Sequence, residues 1–355
     1  MLFQTKNPHG GDVYTRKVRL DFSANTNPFG TPEGVLRAIS EILGTIHRYP
    51  DPGCTALLRA LAEHERVPQE QILCGNGAAE LIFSYCEALR AKTAMELAPT
   101  FSEYSRAFEH FGGEMRRFPL DKPDFLPGEA FLEEIERVRP EVVFLCNPNN
   151  PTGKLLPPEF LARVLELTGR LGIRLFLDEC FLDLTDGGQS LMESISAHPN
   201  LLILKAFTKS YGMAGVRLGC CFCSDGALLK AMSESVQPWN VSSLAQCAGI
   251  AALGEEAFLE KTRRLIREQR PMLKKKLEKI GFFVADSSVN FLLFQGPAGL
   301  DRKLLEEGIA IRSCANFPGL GEGWYRIAIR TEAENRELLN AVEHVMEERE
   351  WLKTS

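Results

Sequence analysis

Between about residues 70 and 225, short apolar runs alternate with longer amphipathic stretches. Gln71 to Cys74 leads into Ala78 to Ala88, Thr93 to Leu97 into Phe101 to Phe111, and Val142 to Cys146 into Pro158 to Leu171; Arg174 to Asp178 and Leu201 to Lys205 follow as further short runs. Apolar strands separated by helical stretches predict a mainly parallel sheet covered by helices on both faces. Ligands of such sheets sit beyond the carboxyl ends of the strands. Polar clusters rich in glycine, proline and asparagine stand directly after these runs, at Gly75 to Gly77, Asn147 to Gly153, Asp178-Glu179 and Thr208-Lys209. They are expected to converge on one crevice.

The pattern then changes. A charged helical stretch from about Glu255 to Ile280 precedes an alternating segment, Phe282 to Phe294, then short strands around Ile309 to Arg312 and Tyr325 to Arg330, and a helix from Glu332 to about Leu352. This predicts a smaller α+β domain, completed by the N-terminal segment near Val35 to Leu43. The expected division is an arm plus part of the small domain over 1–44, a large domain over 45–245 and a small domain over 246–355. No internal repeat is visible.

Composition narrows the function classes. With 355 residues, 45% hydrophobic and 25% charged, the chain is long enough for more than one core. Its 41 basic and 47 acidic residues give a net charge of −6, spread along the sequence. No broad positive surface is expected for nucleic acid or an anionic membrane. The N-terminal stretch has no apolar core of signal-peptide length, and no apolar run could span a bilayer, so a cytoplasmic location is expected. Ten cysteines then read as reduced thiols. Cys220, Cys221 and Cys223 are close together, but strand packing is the expected explanation, and no metal site is expected.

Three local patterns carry chemistry. Lys209 follows a buried strand, where desolvation can lower its pKa and favour Schiff-base formation with a carbonyl cofactor. Asp178 ends an apolar strand, where a carboxylate can hold a protonated pyridine nitrogen. Gly75-Asn-Gly77 leads into a helix whose first amides, at Ala78 and Ala79, can face a phosphate. Singly, each has a plainer explanation: a solvated loop lysine, a helix cap and a structural turn.

Together, in this order, they resemble the fold type I pyridoxal-phosphate enzymes of the aminotransferase class I/II superfamily. The resemblance runs through Arg48-Tyr-Pro-Asp51, Gly75-Asn-Gly77, Pro99-Thr-Phe-Ser-Glu-Tyr104, Asn147-Pro-Asn-Asn-Pro-Thr-Gly153, Leu177-Asp-Glu179, Thr208-Lys209 and Gly215-Val-Arg217, essentially the whole chain. It implies pyridoxal 5'-phosphate as cofactor, joined to Lys209 by a Schiff base, with Asp178 on the pyridine nitrogen and Asn150 donating to the phenolic oxygen. It also implies Tyr104 stacked on the ring, Arg217 with Gly77 and the Ala78 and Ala79 amides on the phosphate beside Thr208, and Tyr49 reaching the phosphate of a neighbouring subunit in a homodimer. Two positions depart from the pattern. Phe181 stands where transaminases of this family carry a tyrosine, and Ala206 where a serine is frequent.

Among subfamilies, the chain resembles threonine-phosphate decarboxylases of cobalamin side-chain synthesis more closely than histidinol-phosphate aminotransferases. His9-Gly-Gly11, Leu20-Asp-Phe-Ser-Ala-Asn-Thr-Asn-Pro28, Gln237-Pro-Trp-Asn-Val241, Arg312-Ser-Cys-Ala-Asn-Phe-Pro-Gly319 and Tyr325-Arg-Ile-Ala-Ile-Arg330 carry this likeness, as does Phe181. The substrate implied is a phosphorylated amino acid. Arg326 matches the superfamily's α-carboxylate arginine, and Arg330, placed on the same strand face by the two-residue repeat, is the expected second cation. His9, Asn25 and Arg312 are further substrate-binding candidates. Amino transfer remains the alternative. A binding protein or regulator that has lost its chemistry is a reading of a different class, opposed by the joint presence of Lys209, Asp178, Asn150 and Arg217, and a carbon–sulfur lyase of the same fold is a third reading without particular support in the sequence.

Overall fold

The computed structural model describes residues 9–348. A seven-stranded sheet runs in the order Ile72–Gly75, Gly219–Phe222, Leu201–Ala206, Arg174–Asp178, Val142–Cys146, Thr93–Ala98, Glu114–Pro119. All neighbours pair in parallel except Gly219–Phe222, which is antiparallel to both strands beside it. The apolar runs are continuous because both faces are covered. Val142, Phe144, Cys146, Phe176, Leu202 and Leu204 join one core, while the intervening Val143, Leu145, Leu175, Leu177, Leu201 and Ile203 join another on the opposite face. Cys220 and Cys221 are buried in the antiparallel strand.

The helix Ala78–Leu89 follows Ile72–Gly75, and Pro158–Leu171 connects Val142–Cys146 to Arg174–Asp178. Two cis peptide bonds, Asn147–Pro148 and Asn150–Pro151, lie in the segment after Val142–Cys146.

A second sheet is antiparallel, in the order Arg312–Ser313, Trp324–Ala328, Phe291–Gln295, Phe283–Val284. Its core holds Leu292, Phe294 and Ile327 with Leu338 and Val342 of the helix Glu332–Glu347. The N-terminal contribution to this core is Phe22, beside the short strand Leu20–Asp21 that pairs with Ile309–Ala310. Val35 goes elsewhere: the helix Glu33–Ile42 packs on Ser243–Ala252, and Val35 is buried in the larger core. The expected Val35 to Leu43 contribution to the small unit is thereby replaced by the strand preceding it. The long helix Glu256–Ile280 ties the two together, with Leu259 in the larger core and Leu273 and Leu277 in the smaller.

The last helix is started by a capping box between Thr331 and Glu334. Its expected extension to Leu352 lies outside the described residues. Among the described residues, no helix is long and apolar enough to cross a membrane.

Candidate active site

The post-strand clusters meet at a cavity of about 410 Å³. Lys209 enters it from the four-residue helix Phe207–Ser210, directly after Leu201–Ala206. Among the described residues no hydrogen bond or ion pair holds its Nζ, and the ring of Phe181 is 5.8 Å away. Burial, reinforced by the charges of Arg326 and Arg217, brings the Lys209 amine down to about 8. About a tenth of the amine is therefore neutral at pH 7, far more than for an ordinary lysine, as a nucleophilic amine requires.

Asp178 stands at the end of its strand, 5% exposed, and lines the same cavity. Its Oδ1 accepts from the Cys180 amide at 2.9 Å and its Oδ2 from the Tyr104 hydroxyl at 2.5 Å. Burial raises its pKa, against these hydrogen bonds and the Lys209 charge. No cation forms an ion pair with it among the described residues, so the site offers an unpaired carboxylate to a cationic ligand atom.

The Tyr104 contact corrects the expected ring stacking. Tyr104 is fully buried and stacks on Phe144, 5.6 Å between ring centroids and 12° between planes, behind the carboxylate. Phe101 is the aromatic residue from this segment that lines the cavity. The helix Glu103–His110 turns Tyr104 inward, toward Ala107 and Phe108 of the same core, and leaves Phe101 outside its first turn.

At the other end of the cavity, the helix Ala78–Leu89 begins without a side-chain cap, and Ala78 and Ala79 line the wall. Gly77 has φ +82°, and a Cβ there would lie 2.4 Å from Nη2 of Arg217. Uncapped helix amides beside a guanidinium form a site for an anion. Thr208 and Ala206 also line this cavity.

Asn150, a cavity residue, accepts from Nη1 of Arg326 at 2.5 Å through Oδ1, and no hydrogen bond holds its amide nitrogen among the described residues. Arg326 also donates to the Ser23 carbonyl at 2.9 Å, and its Nε is buried without a partner. Arg312, its register partner on the neighbouring strand, lines the cavity too and donates to Asn316 at 2.8 Å. Asn25 is buried there, and neither of its side-chain polar atoms has a hydrogen-bond partner among the described residues. His9 reaches the cavity rim and contacts Glu103 at 2.9 Å.

Arg330 is not in this group. The strand ends at Ala328, so the two-residue repeat stops short of it, and its guanidinium is held by Glu334 at 2.7 and 3.0 Å and by the Asp21 carbonyl. The arginine beside Arg326 in the cavity is Arg312. Tyr49 also lies apart, 78% exposed and stacked on Trp239 at 4.5 Å.

Residues 17–342 match the model of the family described as aminotransferase class I and II. The chain belongs to that family. It is 38% identical over 334 residues to a threonine-phosphate decarboxylase of Salmonella typhimurium, covering 92% of this chain and 91% of that one. It is 33% identical to a histidinol-phosphate aminotransferase of Caldanaerobacter subterraneus subsp. tengcongensis, covering 93% of each. Among solved structures, a histidinol-phosphate aminotransferase from Sinorhizobium meliloti in complex with pyridoxal-5'-phosphate superposes with a TM-score of 0.83 at 25% identity, covering 94% of this chain and 92% of that one.

Pyridoxal phosphate is the cofactor of this family, and the cavity suits it chemically: among the described residues it offers an unpaired amine, a buried carboxylate without a counter-ion, and uncapped helix amides at Ala78 and Ala79 beside the Arg217 guanidinium, which packs so closely on Gly77 that a Cβ there would meet it. Phe101, Glu103, Arg106 and Cys180 also line the cavity, and the sequence pattern alone does not single them out. For Phe101 and Glu103 the signal was present, since both belong to the motif that ends at Tyr104.

Proposed function

We propose that this enzyme decarboxylates L-threonine O-3-phosphate to aminopropanol phosphate. The observation that carries the reading is Phe181. Its ring forms a hydrocarbon wall beside Lys209, packed edge-on against Phe291 at 5.1 Å, where transaminases resembling this chain place a tyrosine hydroxyl. The name of the 38% identical relative supports the same reaction.

When bound, pyridoxal phosphate supplies an electron sink for the bond broken at the substrate's α-carbon. The chain's residues do the rest. Lys209 would bear the cofactor and, in its free ammonium form, would be placed to deliver a proton to the α-carbon after carbon dioxide leaves; burial that lowers the amine to about 8 in the cofactor-free protein eases that transfer. Asp178 holds the pyridine nitrogen in its protonated form, and Tyr104 fixes the orientation of that carboxylate. Asn150 donates to the phenolic oxygen while its own carbonyl is anchored by Arg326. Gly77, Ala78, Ala79, Thr208 and Arg217 take the cofactor phosphate.

Arg326 and Arg312 hold the substrate's anionic groups, and Asn25 and His9 complete the pocket. Two fixed cations can select which bond stands perpendicular to the ring, and that orientation decides between loss of carbon dioxide and loss of a proton. The proposal includes a homodimer in which Tyr49 enters the partner's site, a cytoplasmic location and a place in cobalamin synthesis. Exposed apolar side chains at Leu36, Leu43, Ile46, Tyr49, Trp239 and Ile250 support a covered face there.

The test is to measure carbon dioxide release from threonine phosphate beside amino transfer from histidinol phosphate to 2-oxoglutarate. Catalytic gas release with slow transfer is expected. Efficient transfer without gas release would replace this reading with the aminotransferase one, which the 33% identical relative represents.

A further inference from the structure

Behind Lys209, away from the cavity, three distant parts of the chain grip the turn that carries it. Asn27 is 3% exposed and uses all of its side chain: Nδ2 donates to the Ser210 carbonyl and to Thr262 Oγ1, both at 2.8 Å, and Oδ1 accepts from the Phe29 amide at 3.0 Å. Thr262 is fully buried on the long helix Glu256–Ile280 that joins the two cores. Asp183 accepts from the Ser210 hydroxyl at 3.0 Å, and its carbonyl is held by Arg263, next to Thr262. Thr31 donates to the Gly212 carbonyl at 2.9 Å. The approach is close: Gly212 has φ +60°, and a Cβ there would lie 2.3 Å from the Gly30 carbonyl oxygen.

We infer that Asn27 is a positioning residue for Lys209, fixing the Phe207–Ser210 turn to the long helix through one side chain that bonds Ser210 and Thr262 together. The inference rests on Lys209 being the cofactor-bearing lysine, as proposed above. Ordinary packing would stabilise this turn without defining its position along the strand direction. Two directional hydrogen bonds from a single planar amide do define it, because both donors are fixed relative to each other. The turn is too short to set its own geometry. Its helix spans only four residues, and among the described residues Lys209 has no hydrogen-bond or ion-pair partner of its own on the cavity side, where the charges facing it are Asp178, Arg217 and Arg326. Displacement of a reacting amine by about 1 Å costs on the order of a hundredfold in rate.

The experiment compares wild-type, Asn27→Asp, Thr262→Val and Thr262→Ser holoenzymes. Asn27→Asp keeps the shape and the acceptor but loses both donors. Thr262→Val removes one acceptor at nearly constant volume and serves if the first variant does not fold. Each is read by the kcat and KM split, and by the pH midpoint of the visible absorbance of bound cofactor, which does not respond to global stability; because the carboxylate of Asn27→Asp can move that midpoint by its charge alone, the uncharged Thr262→Val decides whether placement is what moves it. Expected for Asn27→Asp is a fall in kcat of about ten- to a hundredfold with KM within about threefold, and a midpoint moved by roughly half a pH unit or more. Thr262→Val should move both in the same direction by less, and Thr262→Ser should match wild type.

Borohydride reduction of the wild type, followed by peptide mapping, separates the two ideas under test. A label on another lysine overturns the assignment of Lys209 and this inference with it. A label on Lys209, with unchanged midpoint and kcat in the folded Asn27→Asp or Thr262→Val enzyme, leaves the assignment standing and overturns the positioning role alone.

Discussion

Arg312 and Arg326 stand directly opposite one another on neighbouring antiparallel strands, and both line the cavity that holds Lys209. Neither forms an ion pair with a carboxylate among the described residues. Burial first, and then the neighbouring Arg312, lower the Arg326 pKa to about 10, so it remains charged at neutral pH. Two adjacent cations without counter-ions leave the cavity prepared for an anion, and the substrate removes their mutual repulsion. Arg326→Lys should raise KM about tenfold or more, because a lysine cannot reach Asn150 and the Ser23 carbonyl while also presenting a two-pronged face to a carboxylate. Arg330→Lys should change KM little, since Glu334 holds that guanidinium outside the cavity. Steady-state kinetics on phosphorylated and unphosphorylated threonine check both.

Tyr104→Phe tests the support behind Asp178. The hydroxyl is one of two donors on a buried carboxylate, and hydrogen bonds to charged groups contribute about 1.5 to 3 kcal/mol. Without it, the Asp178 pKa should rise further and the carboxylate should hold the pyridine nitrogen less firmly. Turnover is expected to fall by about tenfold or more, with cofactor affinity also reduced. An unchanged rate with fully bound cofactor would make Tyr104 a packing residue only.

Lys209 also predicts a pH dependence in the cofactor-free protein. Its folded value, about 8, lies below the ordinary value of 10.5. The unfolded chain therefore holds this proton more tightly, and stability rises with pH between those two values. Below about 8 the full penalty applies, roughly 3 kcal/mol as an order of magnitude. Lys209→Met should consequently melt higher than wild type at pH 7 in the absence of cofactor, with the difference shrinking toward pH 10.5. Cofactor loading of the wild type should accelerate as pH rises and level off above about 8.

Gly77→Ala should weaken cofactor binding without unfolding the chain. The new methyl meets the far end of the Arg217 side chain, which can move, but that movement takes the guanidinium away from the Ala78 and Ala79 amides. The positive φ adds a strain of about 1 kcal/mol or more. Titration with pyridoxal phosphate should show affinity reduced by about tenfold, with circular dichroism unchanged.

The large sheet, Lys209, Asp178, Gly77 and Arg217 were legible because each is encoded locally: a buried strand followed at once by a polar cluster. Positions set by where an element stops were harder. Arg330 was assigned to a strand face that ends at Ala328, because the Thr331 capping box already begins the next helix. Tyr104 and Phe101 exchange places because the start of the helix Glu103–His110 decides which ring turns inward. The edge strand Glu114–Pro119 carries exposed Arg116 and Arg117 and gives no apolar run to read. Asn27 was invisible as a partner of the lysine turn, since its contacts lie 183 and 235 residues away.

Tyr49 provides the test of a shared site. It is exposed and pairs with Trp239 rather than with any cavity residue, and with Leu36, Leu43, Ile46 and Ile250, all exposed, it makes up the apolar face proposed above to be covered. If that face is covered by a second copy, a Tyr49 hydroxyl supplied in trans serves the partner's cofactor phosphate. Tyr49→Phe should then weaken cofactor retention, and Lys209→Ala should abolish turnover. In a mixed dimer one site combines intact Lys209 from one subunit with intact Tyr49 from the other, while the second site carries both defects. Random exchange makes half the dimers mixed, so recovery should approach about a quarter of wild-type activity, measured under cofactor concentrations at which Tyr49→Phe alone is impaired. A demonstrated heterodimer with no recovery would place Tyr49 outside the partner's site and leave the apolar face to another role.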